Sequence, residues 1–420
     1  MNPTNTLAVN AFIEQIDSSI AAYAQSCTHC GLCADACLFY TETQDPKYTP
    51  IHKVELLKRT WLQEFTVLGK LGKKLGFLKP ISDADLAEWE TVVYDGCTLC
   101  GRCSMVCPAG IDISTMIRKS REAFSTSKYA PKGLKNATKL AIETGSPMGV
   151  KFPALAAQIK HIETDYGLAI PVDVKGADYM TLISSMETIY YPEYIAALAK
   201  IFKHANVSWT ICSAAFEATN AGIQIGASDL AAELVEKIVA GAESLNVKNV
   251  ISPECGHAYT ALRWEGPNLI GRPYPFTVVH ILELLDQLRQ AGRIKTKGSW
   301  DEDFTFHDPC QLVRKGGVVE EPRQLMKLFT SQLKEMPDAG VMNWCCGGGG
   351  GVSANSRAED LKHKVFNKKK TQIEAVGVNT VMTACANCRM TFEEAFEHYD
   401  MKTEIISLTE KLAEYLDETK

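Results

Sequence analysis

No stretch of the chain approaches the roughly 18 consecutive apolar residues that a membrane-spanning helix needs, so a soluble or at most peripheral protein is expected. The N-terminal MNPTNTLAVNAFIEQ has no basic region, no apolar core and no twin arginine, and is not expected to be a signal peptide. Basic residues are in deficit: 44 Lys and Arg stand against 50 Asp and Glu, a net charge of -6 with pI near 5.9, which argues against nucleic acid as a partner. The glycine run 347–351 is not followed by the Lys-Ser/Thr of a phosphate-binding loop, and no GxGxxG follows a strand, so nucleotide or flavin binding is not expected. A disulfide framework is disfavoured too, because the cysteine count of 15 is odd and nothing marks the chain for export.

Those cysteines are what the chain does have. Cys27, Cys30, Cys33 and Cys37 stand in CTHCGLCADAC, and Cys97, Cys100, Cys103 and Cys107 in CTLCGRCSMVCP. The repeated CxxCxxCxxxC spacing, closed in the second copy by Pro108, wraps three thiolates round one [4Fe-4S] cube and lends the fourth to its neighbour. Two cubane clusters are therefore expected, one held by Cys27, Cys30, Cys33 and Cys107, the other by Cys97, Cys100, Cys103 and Cys37. Structural zinc uses similar CxxC pairs, but eight cysteines in two such runs exceed what four-coordinate zinc requires.

The cysteines also organise the chain. Residues 1–125 carry both strings among helical patterns such as HKVELLKRTWLQ and DADLAEWETVVYD, as expected of an α-helical ferredoxin domain. Residues 126–175 hold Pro131, Pro147, Pro153 and Pro171 among scattered glycines and suggest an ordered linker. Beyond residue 176, β-rich runs alternate with amphipathic helices, and several runs end in a cysteine: VSWTIC at Cys212, NVISPEC at Cys255, FTFHDPC at Cys310, TVMTAC at Cys385. In α/β folds chemistry gathers at the carboxyl ends of strands, so these thiols are expected on one rim. Trp209–Ala258 can be laid on Trp344–Cys388, with Cys255 on Cys385 and Ala258 where Cys388 would be. The whole is an α+β multidomain chain, with a degenerate α/β half at 176–295 and a complete one at 296–420.

The complete half runs Cys310, 34 residues, Cys345-Cys346, 38 residues, Cys385-Ala-Asn-Cys388. With HDPC at 307–310 and CCGGGG at 345–350 it strongly resembles the cysteine-rich CCG domain. That family includes the B and D subunits of heterodisulfide reductase, the K-type subunit of the sulfite-reduction membrane complex, and iron-sulfur subunits of glycolate and glycerol-3-phosphate oxidases. The resemblance, which covers nearly the whole chain, implies that Cys310, Cys345, Cys346, Cys385 and Cys388 bind one non-cubane [4Fe-4S] cluster. It further implies thiol/disulfide chemistry there, with Cys345, Cys346, Cys310 and His307 as the catalytic candidates. The expected associates are a cytochrome b-type membrane subunit or a flavoprotein, and a thiol/disulfide substrate or small sulfur-carrier protein, in the cytoplasm or on the inner membrane face. Two departures stand out: the doublet lies slightly farther from the CxxC than is usual, and the first half keeps only Cys212 and Cys255.

Several assignments stay open on the residues alone. Cys345, Cys346, Cys385 and Cys388 could hold zinc instead. His307 could give up a proton or merely bond the backbone at a strand end, and His257 lies where the degenerate half has lost a ligand. Cys212 and Cys255 are expected to be packed thiols. Residues 64–80 place Phe65, Leu68, Leu71, Leu75 and Leu78 on one helical face and Lys70, Lys73, Lys74 and Lys79 elsewhere, as an interaction helix or an ordinary one would. The alternative functions are a passive relay for an FAD-dependent 2-hydroxyacid or glycerol-3-phosphate dehydrogenase, and a non-catalytic cluster-binding subunit.

Overall fold

The computed structural model describes residues 3–127, 129–218 and 221–418. Two compact units are present. One comprises Met1–Lys135, Gly222–Ser228 and Gly347–Lys368; the other comprises Asn136–Ala221, Asp229–Cys346 and Lys369–Lys420.

The first unit is helical. Its main helices are Pro3–Glu14, Ser18–Ser26, Glu55–Phe65, Asp83–Tyr94 and Ile113–Thr126, and the second, fourth and fifth begin where Asp17, Ser82 and Asp112 take up orphan backbone donors. Asp17 accepts from the N–H of Ile20 at 2.9 Å, and Ser82 and Asp85 form a reciprocal capping box. Phe12 meets Phe124 edge to face at 5.0 Å, joining the first of these helices to the last, over a core that includes Leu57, Leu86, Val93 and Ile117.

Two later pieces of chain complete this unit. The hydroxyl of Tyr94 donates to the carbonyl of Ile225 at 2.6 Å. The guanidinium of Arg121, without solvent exposure, donates to the carbonyls of Val93, Cys97, Gln224 and Gly350 at 2.6–3.0 Å. Gly350 has φ of +60°, and a Cβ there would lie 2.6 Å from the Thr98 carbonyl carbon, so close packing demands glycine at this point of the run.

The second unit is α/β with two parallel sheets. We number its strands β1 (Tyr179–Thr181), β2 (Trp209–Thr210), β3 (Asn249–Ser252), β4 (Thr277–His280), β5 (Phe304–His307), β6 (Thr380–Thr383) and β7 (Glu404–Ser407). The sheet orders are β2-β1-β3-β4 and β5-β6-β7. FTFH and TVMT are buried at every position, as strands covered on both faces are. The 18-residue helix Ser228–Leu245 leads into β3 as the equally long Glu359–Val376 leads into β6, which is the sequence repeat made physical.

The stretch 126–175 is largely helical. Lys132–Thr144 and Phe152–Tyr166 are helices, and Leu155, Ile159 and Ile162 join the core of the second unit. Two of its four prolines mark helix starts: Pro131 immediately precedes one helix and Pro153 lies in the first turn of the next, where the missing N–H costs nothing.

Candidate metal centres

The two ferredoxin strings repeat one backbone conformation. His29 and Leu99, each two residues after the first cysteine of its string, have φ of +56°, and Gly31 and Gly101, two further on, have φ of +84° and +77°. These left-handed positions coil the chain so that successive cysteines face inward. One cavity of about 120 Å³ is lined by Cys27, Cys30, Cys33 and Cys107, a second of about 30 Å³ by Cys37, Cys97, Cys100 and Cys103. Each thus brings together three thiols of one string and the last thiol of the other. Apolar side chains such as Ile51, Val54 and Ile117 fill in around them, and among the described residues no carboxylate lines either cavity. Four thiols converging in a largely apolar box suit a [4Fe-4S] cluster.

The cavities differ in charge and exposure. Cys30 is exposed, and His29 and Lys58, 2.6 Å apart, lie at the first cavity. At the second, Lys53 is buried with its ammonium 3.2 Å from the Cys37 sulfur. Burial opposes that charge, yet Cys37 and Cys97 outweigh it and hold the Lys53 pKa above its ordinary value. His52 is occupied elsewhere, stacked on Trp89 and paired with Glu88.

The remaining constellation lies at the ends of β5 and β6. Cys310 follows β5 by three residues and opens a π-helical turn, Gln311–Lys315. Its sulfur is 3.7 Å from that of Cys345. Cys385 caps the helix Ala386–His398, its sulfur accepting from the N–H of Cys388 at 3.4 Å. All five thiols are buried. His307, Cys346 and Cys388 present ligand atoms within 4.8 Å of one another. Neither ring nitrogen of His307 has a hydrogen-bond partner, so its imidazole does not bond the backbone; it packs on Phe392 with ring centres 4.8 Å apart. A buried imidazole with both nitrogens unused, facing two thiols, is a donor set that could hold a metal.

Residues 23–111 match the 4Fe-4S dicluster domain family and residues 304–393 the cysteine-rich CCG domain family. An Hdr-like menaquinol oxidoreductase iron-sulfur subunit of Archaeoglobus profundus is 25% identical over 95% of this chain and 81% of its own. The D-type component of dihydromethanophenazine:CoB--CoM heterodisulfide reductase from Methanosarcina acetivorans is 29% identical over 87% of each chain. The chain is a CCG-domain iron-sulfur protein, homologous to these subunits. A hypothetical protein from Helicobacter pylori shares its fold, with a TM-score of 0.57 at 12% identity over 89% of this chain and 69% of that one. This CCG protein is an electron-transfer protein and an oxidoreductase subunit of the Hdr-like family.

Polar side chains that motif reading missed hold the CCG centre in place. Asp308 receives both terminal nitrogens of Arg323, at 2.9 and 3.0 Å, and the N–H of Gly340 at 2.7 Å, which steadies the loop leading to Cys310. Arg314 donates to the carbonyl of Asn343, two residues before the doublet. Lys369 is buried, bonded to Gln372 at 3.0 Å, and burial pulls its pKa down to about 8. Its only sequence signal was a place in a lysine run, indistinguishable from a solvated helix face. Burial, then the charge of Lys369, holds His307 well below the ordinary imidazole range, so its ring is neutral. As free thiols Cys388 is held high by its bonds to Cys346 and Cys385, while Cys385 is lowered, chiefly by Cys388.

The first half of the CCG protein is built differently at the same place. Strand register pairs Met180 with Val250 and Phe304 with Thr380, so with Cys255 laid on Cys385 the position of Cys310 falls to Met186, which has no thiol, next to Ser185. The Ser185 hydroxyl donates to buried Glu217. Cys255 caps its helix as Cys385 does, but Ala258 offers only a backbone N–H, at 3.4 Å from the Cys255 sulfur. Cys212 is buried in the apolar core, and a Cβ on Gly241 would lie 3.1 Å from its sulfur. His257 is half-buried on the short helix Gly256–Thr260.

Proposed function

We propose that the CCG protein reduces or forms a disulfide of a small thiol or sulfur-carrier protein at the centre made by Cys310, Cys345, Cys346, Cys385, Cys388 and His307. The two ferredoxin sites, Cys27/Cys30/Cys33/Cys107 and Cys37/Cys97/Cys100/Cys103, would connect that centre to a redox partner. What supports the reading is one arrangement above all: buried thiols from three separate stretches of sequence, with an imidazole whose nitrogens are otherwise unused. When bound, clusters at the ferredoxin sites supply one-electron transfer, and one at the CCG site supplies Lewis-acidic iron for sulfur.

The chain's own residues have definable parts. Reduction of a disulfide takes two electrons and two protons, and it ends in thiolates that need both shelter from water and a proton. The buried doublet provides the shelter. Lys369 would hold a proton beside it, as a group with a pKa of about 8 can near neutrality. Asp308, Arg323 and Arg314 would position the Cys310 and doublet loops without meeting substrate. Functionally the chain would divide into the ferredoxin part at 1–125, the connector at 126–175, the degenerate half at 176–295 and the working half at 296–420.

A cytochrome b-type membrane subunit or a flavoprotein would be the partner, in the cytoplasm and at the inner membrane face. Relatives are named for menaquinol and, in Syntrophomonas wolfei, for EtfAB:quinone oxidoreduction, which favours a second reading in which the protein relays electrons to or from a quinone pool without touching a disulfide. Cys346→Ser separates the two. It should abolish disulfide reduction with an artificial donor while the low-potential signals of both ferredoxin clusters persist, and Cys212→Ser should be far milder. Full turnover by Cys346→Ser would defeat the disulfide reading. A wild type that reduces no disulfide, yet passes electrons between a partner and quinone, would put the relay in its place.

A further inference from the structure

The segment between Phe65 and Pro80 inverts the usual construction of a surface helix. An ordinary amphipathic helix turns its apolar stripe inward. Here the helix Glu55–Phe65 ends at Thr66, whose side chain caps a second helix, Val67–Lys74, by accepting from the N–H of Gly69 at 3.0 Å. That second helix buries only Gly69. A Cβ there would lie 1.8 Å from the carbonyl oxygen of Leu62, so the two helices touch through the smallest residue available. The large apolar side chains consequently point away: Val67 is 83% exposed, Leu68 80% and Phe77 81%, with Phe65, Leu71 and Leu75 exposed beside them.

The element is tied down at both ends. Gln63, buried, donates to the carbonyl of Lys79 at 3.0 Å, and Ile81 is buried just beyond. Its outward face is thus a built feature of the ferredoxin unit. Six exposed large apolar side chains within thirteen residues form the kind of patch that marks an interaction surface.

Charge and shape identify the occupant. Lys70, Lys74 and Lys79 are exposed on the same element, Lys73 is paired with Glu64, and no acidic residue lies between Glu64 and Asp83, in a chain whose net charge is -6. An anionic surface is the complement. Val67, Leu68 and Leu71 project as knobs from a helix eight residues long, about 12 Å, with Phe65 before it and Leu75 and Phe77 after it. Such a helix is too short to span a bilayer but suited to lie in its interfacial region. A lipid surface receives projecting side chains without a matching groove, and lysines at its rim reach the headgroups. We infer that residues 65–79 dock the protein directly onto an anionic lipid bilayer, Phe65, Val67, Leu68, Leu71, Leu75 and Phe77 entering the interface and Lys70, Lys74 and Lys79 meeting the headgroups. This deepens the peripheral placement proposed above and is independent of the disulfide chemistry.

The test uses the full chain with its clusters, sedimented with vesicles of phosphatidylcholine alone or mixed with phosphatidylglycerol. Binding to the mixed vesicles, weakened at least about tenfold on neutral ones and by added salt, is expected. Leu68→Asp with Leu71→Asp should release the protein by more than about tenfold, and Lys70→Gln with Lys74→Gln should weaken it about 25-fold, each lysine being worth about fivefold. Iron content should be unchanged in both variants, whose altered side chains face solvent. Absence of binding to the mixed vesicles, or leucine variants that bind as wild type does, would overturn the inference. If vesicles are ignored yet the leucine variants leave the membrane fraction of cells, the occupant is a protein subunit, and the peripheral placement survives without direct lipid contact.

Discussion

The ammonium of Lys53 lies 3.2 Å from the sulfur of Cys37, shut away from solvent, and among the described residues no cationic group is so placed at the other ferredoxin site. Lys58 is the described lysine lining that other cavity, and it is partly exposed. A cluster gains negative charge on reduction, and a buried cation beside its ligand favours the reduced form far more than a hydrated one can.

Lys53→Met should therefore lower the potential of the cluster at Cys37, Cys97, Cys100 and Cys103 and leave the other nearly unmoved. A tenfold change in the reduced-to-oxidised ratio at fixed potential, about 59 mV for one electron, is a reasonable floor. Lys53→Arg should restore most of it. Redox titration followed by electron paramagnetic resonance reads both clusters at once, and equal shifts in the two would refute the asymmetry.

With all three centres filled, anaerobically purified protein should carry about twelve irons per chain. His307→Ala should reduce that to about eight with the ferredoxin signals intact, since it removes one of the three ligand atoms grouped at Cys346 and Cys388. A wild-type value near eight, accompanied by zinc, would remove the third cluster from the account. Retention of all the iron in His307→Ala would show that the imidazole is not a ligand.

Arg121→Leu leaves the buried carbonyls of Val93, Cys97, Gln224 and Gly350 without their donor. At about 1–3 kcal/mol for each unsatisfied buried group, the helical unit should lose on the order of 4 kcal/mol or more. Protease sensitivity within 222–228 or 347–368 should rise first. Wild-type resistance in those segments would mean that packing alone secures them.

Burial raises the carboxyl of Glu217 from its ordinary 4.5 to about 7. The folded protein therefore favours the protonated form. Its contribution to stability is complete below about pH 4.5 and is lost as pH rises through about 7, a change on the order of 3 kcal/mol. Glu217→Gln should flatten that decline while keeping a partner for Ser185. Thermal unfolding from about pH 5 to about pH 8 should show the variant gaining on wild type as pH rises; parallel curves would mean the acid is ionised throughout.

Motif spacing alone was enough to specify the two ferredoxin strings, the cysteine-ended strands and the single complete CCG half, because ligand number and interval are properties of a short stretch of chain. HDPC, the Cys345-Cys346 doublet and Cys385-Ala-Asn-Cys388 are legible in that way. The α/β alternation was legible for a similar reason, since strand and helix periods are local. What only the tertiary structure decided involves residues far apart in sequence whose types are ambiguous. Lys53, Arg121 and Lys369 look like surface charges until folding removes water from them, and burial is a property of the packed whole. The helical nature of 126–175 was hidden because proline marks helix starts as readily as loops. The direction faced by Leu68 and Leu71 was hidden because periodicity shows that a helix has an apolar face without showing what covers it; that was decided by Gly69 packing against the carbonyl of Leu62.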